Sequence, residues 1–102
     1  MIELTNTNQL KNPISIVVFL LKESNCPKCK QNLKVLQQLE AESTNETIGW
    51  FFCNIEDNQQ LAEQFQINSG GNIVILKNNH IFATIISTIT TNIFKQHYLE
   101  KL

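Results

Sequence analysis

Cys26 and Cys29, separated by Pro27 and Lys28, are the densest concentration of reactive chemistry in the chain. A C-x-x-C pair can serve as a dithiol that opens and closes a disulfide, or as half of a soft-metal site. A tetrahedral zinc or an iron–sulfur cluster on Cys26 and Cys29 needs further ligands. Cys53, His80 and His97 are the remaining candidates, each alone in its own segment. A third possibility is a pair without chemical role. Position favours redox chemistry, because the pair lies where an apolar, β-branched run gives way to a helical pattern. A thiol at a helix N-terminus faces unpaired backbone N–H groups and the positive end of the macrodipole, which stabilise thiolate. Lys28 and Lys30 add positive charge nearby. Such settings move a cysteine from about 8.5 into roughly 3.5–7.5. Cys26, ahead of the helix, is therefore expected to be the exposed nucleophile. Cys29, in line with Leu33 and Leu36, is expected to face inward and resolve the mixed disulfide.

The elements that position this pair are legible from periodicity. Ile14–Leu21 is apolar almost throughout, as in a central strand covered on both faces. Lys22-Glu23-Ser24-Asn25 reads as a polar turn. From Pro27, welcome in a first helical turn, Cys29, Leu33, Leu36 and Leu39 or Glu40 recur at helical spacing beside Val35, and Ser43-Thr44-Asn45 marks the exit. Ile48–Ile55 reads as a second buried strand, with Trp50 and Cys53 in the core. Asp57-Asn58 can cap a short helix carrying Leu61, Ala62 and Phe65. Ser69-Gly70-Gly71-Asn72 breaks the chain before a strand at Ile73–Lys77. Asn78-Asn79 turns it into an antiparallel partner, Ile81–Ile86. Thr90 or Thr91 can cap a final helix with Ile93, Phe94, Tyr98 and Leu102. Ahead of all these, Ile2–Leu4 suits an edge strand, and Asn6–Lys11 a helical turn or two stopped by Pro13. The order is (β)(α)βαβαββα: an α/β fold with a central mixed β-sheet flanked by helices. Parallel crossovers link the helix-separated strands, and the late hairpin is the antiparallel edge.

Composition sets outer limits. The chain has 102 residues, 42% hydrophobic, with a formal net charge of −1 and no arginine. That length is expected to form one domain over residues 1–102 and bury roughly 60–70% of its unfolded surface. Without a basic cluster beyond Lys28 and Lys30, neither nucleic acid nor a membrane surface is an expected partner. Thirteen Asn and nine Gln are scattered through periodic apolar segments, so the chain does not read as a polar, disordered tract. The start carries no visible signal peptide, and the apolar run Ile16–Leu21 is far short of a membrane span. A cytoplasmic, monomeric protein with reduced thiols is the expectation. His80 reads as a solvated turn residue, and His97 as surface or packing.

Across nearly its whole length the chain resembles the thioredoxin superfamily. The resemblance is carried by Ile16-Val17-Val18-Phe19, Cys26-Pro27-Lys28-Cys29-Lys30 and Asn54-Ile55-Glu56-Asp57-Asn58, and then by Phe65 through Asn79. The last segment follows the order of a "Y-G-I-x-x-x-P-T" stretch, a hydrophobic strand and "K-N-G". The Cys-Pro dipeptide is similar to glutaredoxins, whose Gly-Gly-x-Asp glutathione signature is replaced here by Ser87-Thr88-Ile89-Thr90. Two positions depart from the thioredoxin pattern. The buried Asp six residues before the first cysteine is Leu20, with Glu23 as a candidate substitute base. The cis-proline facing the dithiol is Gly71, so the Gly70–Gly71 bond is expected to be trans. Glycine there is expected to leave a flexible loop with room above Cys26, favouring metal access.

The resemblance implies a thioredoxin fold and a thiol–disulfide oxidoreductase. Cys26 and Cys29 would be catalytic, Pro27, Lys28 and Lys30 supporting, and Gly70 and Gly71 substrate-binding. Protein or small-molecule disulfides would be substrates, with a reductase or a small thiol as reductant and no organic cofactor. The alternatives are a metal- or cluster-binding module on the same two cysteines, or a redox-inert adaptor.

Overall fold

A computed structural model describes residues 1–22 and 25–102. The expected polar turn lies in part outside the described residues, as does Glu23 as a substitute base. The strands are β1 (Ile2–Glu3), β2 (Ile14–Leu20), β3 (Ile48–Asn54), β4 (Ile73–Lys77) and β5 (His80–Ile85). The helices are α1 (Pro27–Glu42), α2 (Gln59–Gln64) and α3 (Thr91–His97). Short 3₁₀ turns at Thr7–Gln9 and Leu99–Lys101 complete the order. The early helical stretch is thus only one turn, capped by Asn6, whose side chain accepts from Asn8 N–H.

The five strands form one sheet in the order β1-β3-β2-β4-β5. β1, β3 and β2 run parallel, while β4 is antiparallel to β2 and β5 antiparallel to β4. The expected parallel crossover into β4 is corrected here. α1, with sixteen residues, is about 24 Å long, enough to carry the chain back beside a seven-residue strand of about 23 Å. α2 has six residues and spans about 9 Å. It cannot make that return by itself, and the chain re-enters the sheet at the end where it left.

β2 is the spine, with its first six residues buried. Its alternate side chains feed two cores. Val17 and Phe19 join Phe51, Cys53, Leu61, Phe65, Val74 and Leu76 under α2. Ile16 and Val18 join Leu36, Leu39, Trp50, Ile73, Ile75 and Phe94 under α1 and α3. Both clusters are built from apolar side chains, and burial of this kind contributes roughly 25 cal/mol per Å².

Local chemistry explains the joints. Asn78 and Asn79 both take positive φ, +51° and +66°, the mirror-image turn that suits a two-residue hairpin. β5 starts one residue earlier than expected, at His80, and stops at Ile85, leaving Ile86 outside the sheet and 70% exposed. The strand is bulged, for Ile75 pairs with Ala83 but Leu76 with Ile81, so Phe82 is the extra residue. Asn58 occupies the N-cap position of α2 without capping it, because its Nδ2 donates back to Asn54 O at 2.9 Å. Thr90 does cap α3, its hydroxyl accepting from Ile93 N–H at 3.2 Å. Lys95 on α3 pairs with Glu42 at the end of α1, holding that carboxyl below its usual range.

Candidate dithiol site

β2, β4 and β5 converge on one end of the molecule. The chain leaves the sheet there after Leu20, re-enters before Ile73 and leaves again after Ile85. Three segments therefore meet at that end: the first turn of α1, the Gly70–Asn72 segment and the Ile86–Ile89 segment. Two hydrogen bonds weld the second to the sheet. Gly71 N–H donates to Phe19 O at 2.6 Å, and Phe19 N–H donates to Asn72 O at 2.9 Å.

Cys26 and Cys29 form a disulfide at the start of α1, with Cα atoms 5.2 Å apart, inside the usual range for such bridges. Cys26 is the N-cap residue, and its sulfur accepts the Cys29 N–H at 3.1 Å. One of the orphan donors of the helix N-terminus is thus aimed at the sulfur expected to carry charge. Pro27 follows at the first helical position, where its missing N–H costs nothing. Cys26 is half-buried, whereas Cys29 is 5% exposed. The expected asymmetry between an outer and an inner sulfur is present in the structure.

Lys28 and Lys30 are not equivalent. Lys30 is exposed. Lys28 reaches across the site, its Nζ donating to Asn72 Oδ1 at 2.8 Å and to Ile86 O at 3.0 Å. Its aliphatic stem lies over Gly71. Lys28 is thus a strut between three segments, a role that charge counting does not reveal.

Gly70 and Gly71 stand against the dithiol, but the expectation of an open, loose loop is corrected. Both are buried. A Cβ on Gly70 would lie 2.7 Å from Cys29 Sγ. One on Gly71 would lie 2.6 Å from Lys28 Cγ and 2.8 Å from the Lys28 carbonyl carbon. Gly71 lies against the α1 backbone and the Lys28 stem, and Gly70 against Cys29 Sγ and the Leu21 side chain, so neither leaves room for a Cβ. Gly71 has φ +87°, and the described residues contain no cis peptide bond. Its N–H and its C=O are both engaged within the chain.

Asn32 was missed by the helical pattern, which placed Leu33 in the inward stripe. Leu33 is half-buried, while Asn32 is 0% exposed. Its Nδ2 donates to Gly71 O at 2.8 Å and Ser87 O at 3.0 Å, and its Oδ1 accepts from Ile89 N–H at 3.1 Å. The available signal was spacing: Asn32 lies three residues beyond Cys29 on the same helix face.

Leu20 is half-buried and packs against the core under α1. Cys53 is fully buried, and burial raises its thiol to about 11. His80 and His97 are exposed on β5 and α3. Among the described residues, no three His, Cys, Asp or Glu side chains group as metal ligands. A metal on Cys26 and Cys29 would draw its other ligands from outside this set.

No protein-family model and no curated protein matches the chain. Solved structures do. A mutant thioredoxin from Halobacterium salinarum superposes with a TM-score of 0.82 at 12% identity, covering 97% of this chain and 88% of that one. The thioredoxin of Malassezia sympodialis superposes with a TM-score of 0.78 at 15% identity, covering 97% and 89%. The mixed five-stranded sheet, its flanking helices and the bridged C-x-x-C pair at the head of α1 together identify the architecture: this chain has the thioredoxin fold.

Proposed function

We propose that the protein is a thiol–disulfide oxidoreductase acting on protein or small-molecule disulfides. The observation that carries this reading is the Cys26–Cys29 bridge at the N-terminus of α1, with one sulfur accessible and the other shielded. In the reduced protein the Cys26 thiolate is stabilised by the Cys29 N–H and the helix terminus. It attacks one sulfur of a substrate disulfide and forms a mixed disulfide. The other substrate sulfur leaves as thiolate and takes a proton from water. Cys29 then loses its proton, attacks Cys26 Sγ and closes the internal disulfide, releasing the second substrate sulfur as thiol. Two electrons pass from the protein to the substrate, and no organic cofactor enters. Leu20 stands where a carboxylate would stand in thioredoxins, so that position supplies no base, and the proton that Cys29 gives up ends on the departing substrate thiol.

A reductase or a small thiol returns the pair to its reduced form. A reducing compartment, the cytoplasm, suits that cycle. Gly70 and Gly71 form the wall beside the dithiol against which a substrate chain is held, and Pro27, Lys28 and Lys30 support the reactive turn.

The test is reduction of a model aromatic disulfide and of insulin with a dithiol as the electron source. Cys26→Ser should lower turnover at least 100-fold. Cys29→Ser should accumulate a mixed disulfide on Cys26, visible by mass spectrometry. Undiminished turnover in Cys26→Ser overturns the assignment.

A further inference from the structure

We propose that Asn32 is a positioning residue for the dithiol: its carboxamide holds the Gly70–Gly71 backbone against Cys29 and so keeps that sulfur the shielded member of the pair. The proposal rests on the oxidoreductase reading above for its catalytic meaning, and on geometry for everything else.

A primary amide offers two N–H donors and a carbonyl acceptor. Asn32 commits all of these inside the protein. One N–H goes to Gly71 O at 2.8 Å, the other to Ser87 O at 3.0 Å, and the oxygen takes Ile89 N–H at 3.1 Å. The side chain is 0% exposed. One residue of α1 therefore ties together the two segments that flank the disulfide, and it does so one helical turn beyond Cys29. A leucine would fill similar space, so packing alone does not require an amide there.

The consequence falls on Cys29 because Gly70 touches it. The Gly70 α-carbon approaches Cys29 Sγ so closely that a Cβ would lie 2.7 Å from the sulfur. The next residue is held from two sides. Gly71 N–H is bound to the sheet through Phe19 O, and Gly71 O is bound to α1 through Asn32. Without the second bond no buried hydrogen bond ties the segment to α1, and it can lift from the sulfur. Lys28 ties the same segments farther out, through Asn72 Oδ1 and Ile86 O, but it is half-exposed and its bonds compete with water.

Such shielding has a chemical purpose. If both thiols were equally accessible, an external disulfide could attach to either, and attack through Cys29 would leave the wrong sulfur to resolve it. Burial of Cys29 restricts the first step to Cys26.

The experiment measures Cys29 directly. In the Cys26→Ser background, iodoacetamide alkylation of Cys29 is timed by peptide mass spectrometry at a temperature well below unfolding, with and without Asn32→Leu. The expected result is at least a tenfold faster reaction in Asn32→Leu. Leu61→Ala, which destabilises the opposite core under α2, serves as control and should leave the rate within twofold. Where Asn32→Leu does not fold, Asn32→Ser gives the same readout. A lower melting temperature with an unchanged Cys29 rate overturns the proposal, as does an equal acceleration in Leu61→Ala. The readout needs no turnover. A wild-type protein that reduces no disulfide therefore sinks the enzymatic reading separately from the shielding by Asn32.

Discussion

At the scale of single residues, Gly71 shows how a departure from a sequence pattern can be misread until its neighbours are known. The absence of a proline suggested freedom, but the structure shows a backbone clamped between Phe19 and Asn32 at φ +87°. An L-residue in that conformation costs about 1–2 kcal/mol, and a Cβ must also displace the Lys28 and Cys29 backbone. Overpacking of this kind adds about 1–3 kcal/mol. Gly71→Ala should therefore lower unfolding free energy by about 2–5 kcal/mol, measured by urea denaturation. Gly71→Pro should be at least as damaging, because proline fixes φ near −65° and removes the N–H that binds Phe19 O. A Gly71→Pro protein of undiminished stability would show that the segment has a second conformation of equal energy.

At the scale of elements, helix ends decide where the chain goes next. α2 closes with a Schellman motif, in which Ile67 N–H bonds Ala62 O at 2.8 Å and Gln66 N–H bonds Glu63 O at 2.9 Å. This turn swings the chain out of a six-residue helix and starts it toward Gly70. The position that must be left-handed is Gln66, with φ +60°, and it is exposed. Glycine takes that conformation freely but loses more entropy on folding. The net expectation for Gln66→Gly is a gain of about 0.5–1 kcal/mol, read as a higher urea midpoint at unchanged slope. A loss of stability would mean that the Gln66 side chain makes a compensating contact.

At the scale of the whole molecule, two apolar layers share one sheet, and β2 and β3 supply both. Cys53 lies in the layer under α2, where burial holds its thiol at about 11 against an ordinary value of 9.0. The folded state thus keeps a proton that the unfolded chain gives up earlier. The resulting stability is complete below about 9 and falls as pH rises through about 11, by about 3 kcal/mol at most. Comparison with Cys53→Ala isolates this from lysine titration. The alanine variant should be less stable near neutrality because of its cavity, yet lose less stability between pH 9 and 11. Parallel curves for the two proteins would show that Cys53 does not contribute to alkaline unfolding. The same burial should keep Cys53 unreactive toward iodoacetamide in the folded protein.

What the amino-acid sequence determined by itself is whatever depends on neighbours along the chain. The apolar run of β2, the helical spacing of α1, the Asn78–Asn79 hairpin and the placement of Cys26 before Pro27 are all local patterns. So is the inward turn of Cys29, since helix geometry places it on the face of Leu36. The tertiary structure alone decided what depends on distant parts of the chain. The antiparallel direction of β4 follows from how little of the return α2 spans. That direction brings residues about forty positions beyond the cysteines against them. Asn32 and Lys28 look like ordinary polar helix residues in the sequence. Their roles exist because the carbonyls of Gly71, Ile86 and Ser87 arrive at the same end of the sheet, and the buried one, on Gly71, requires a donor.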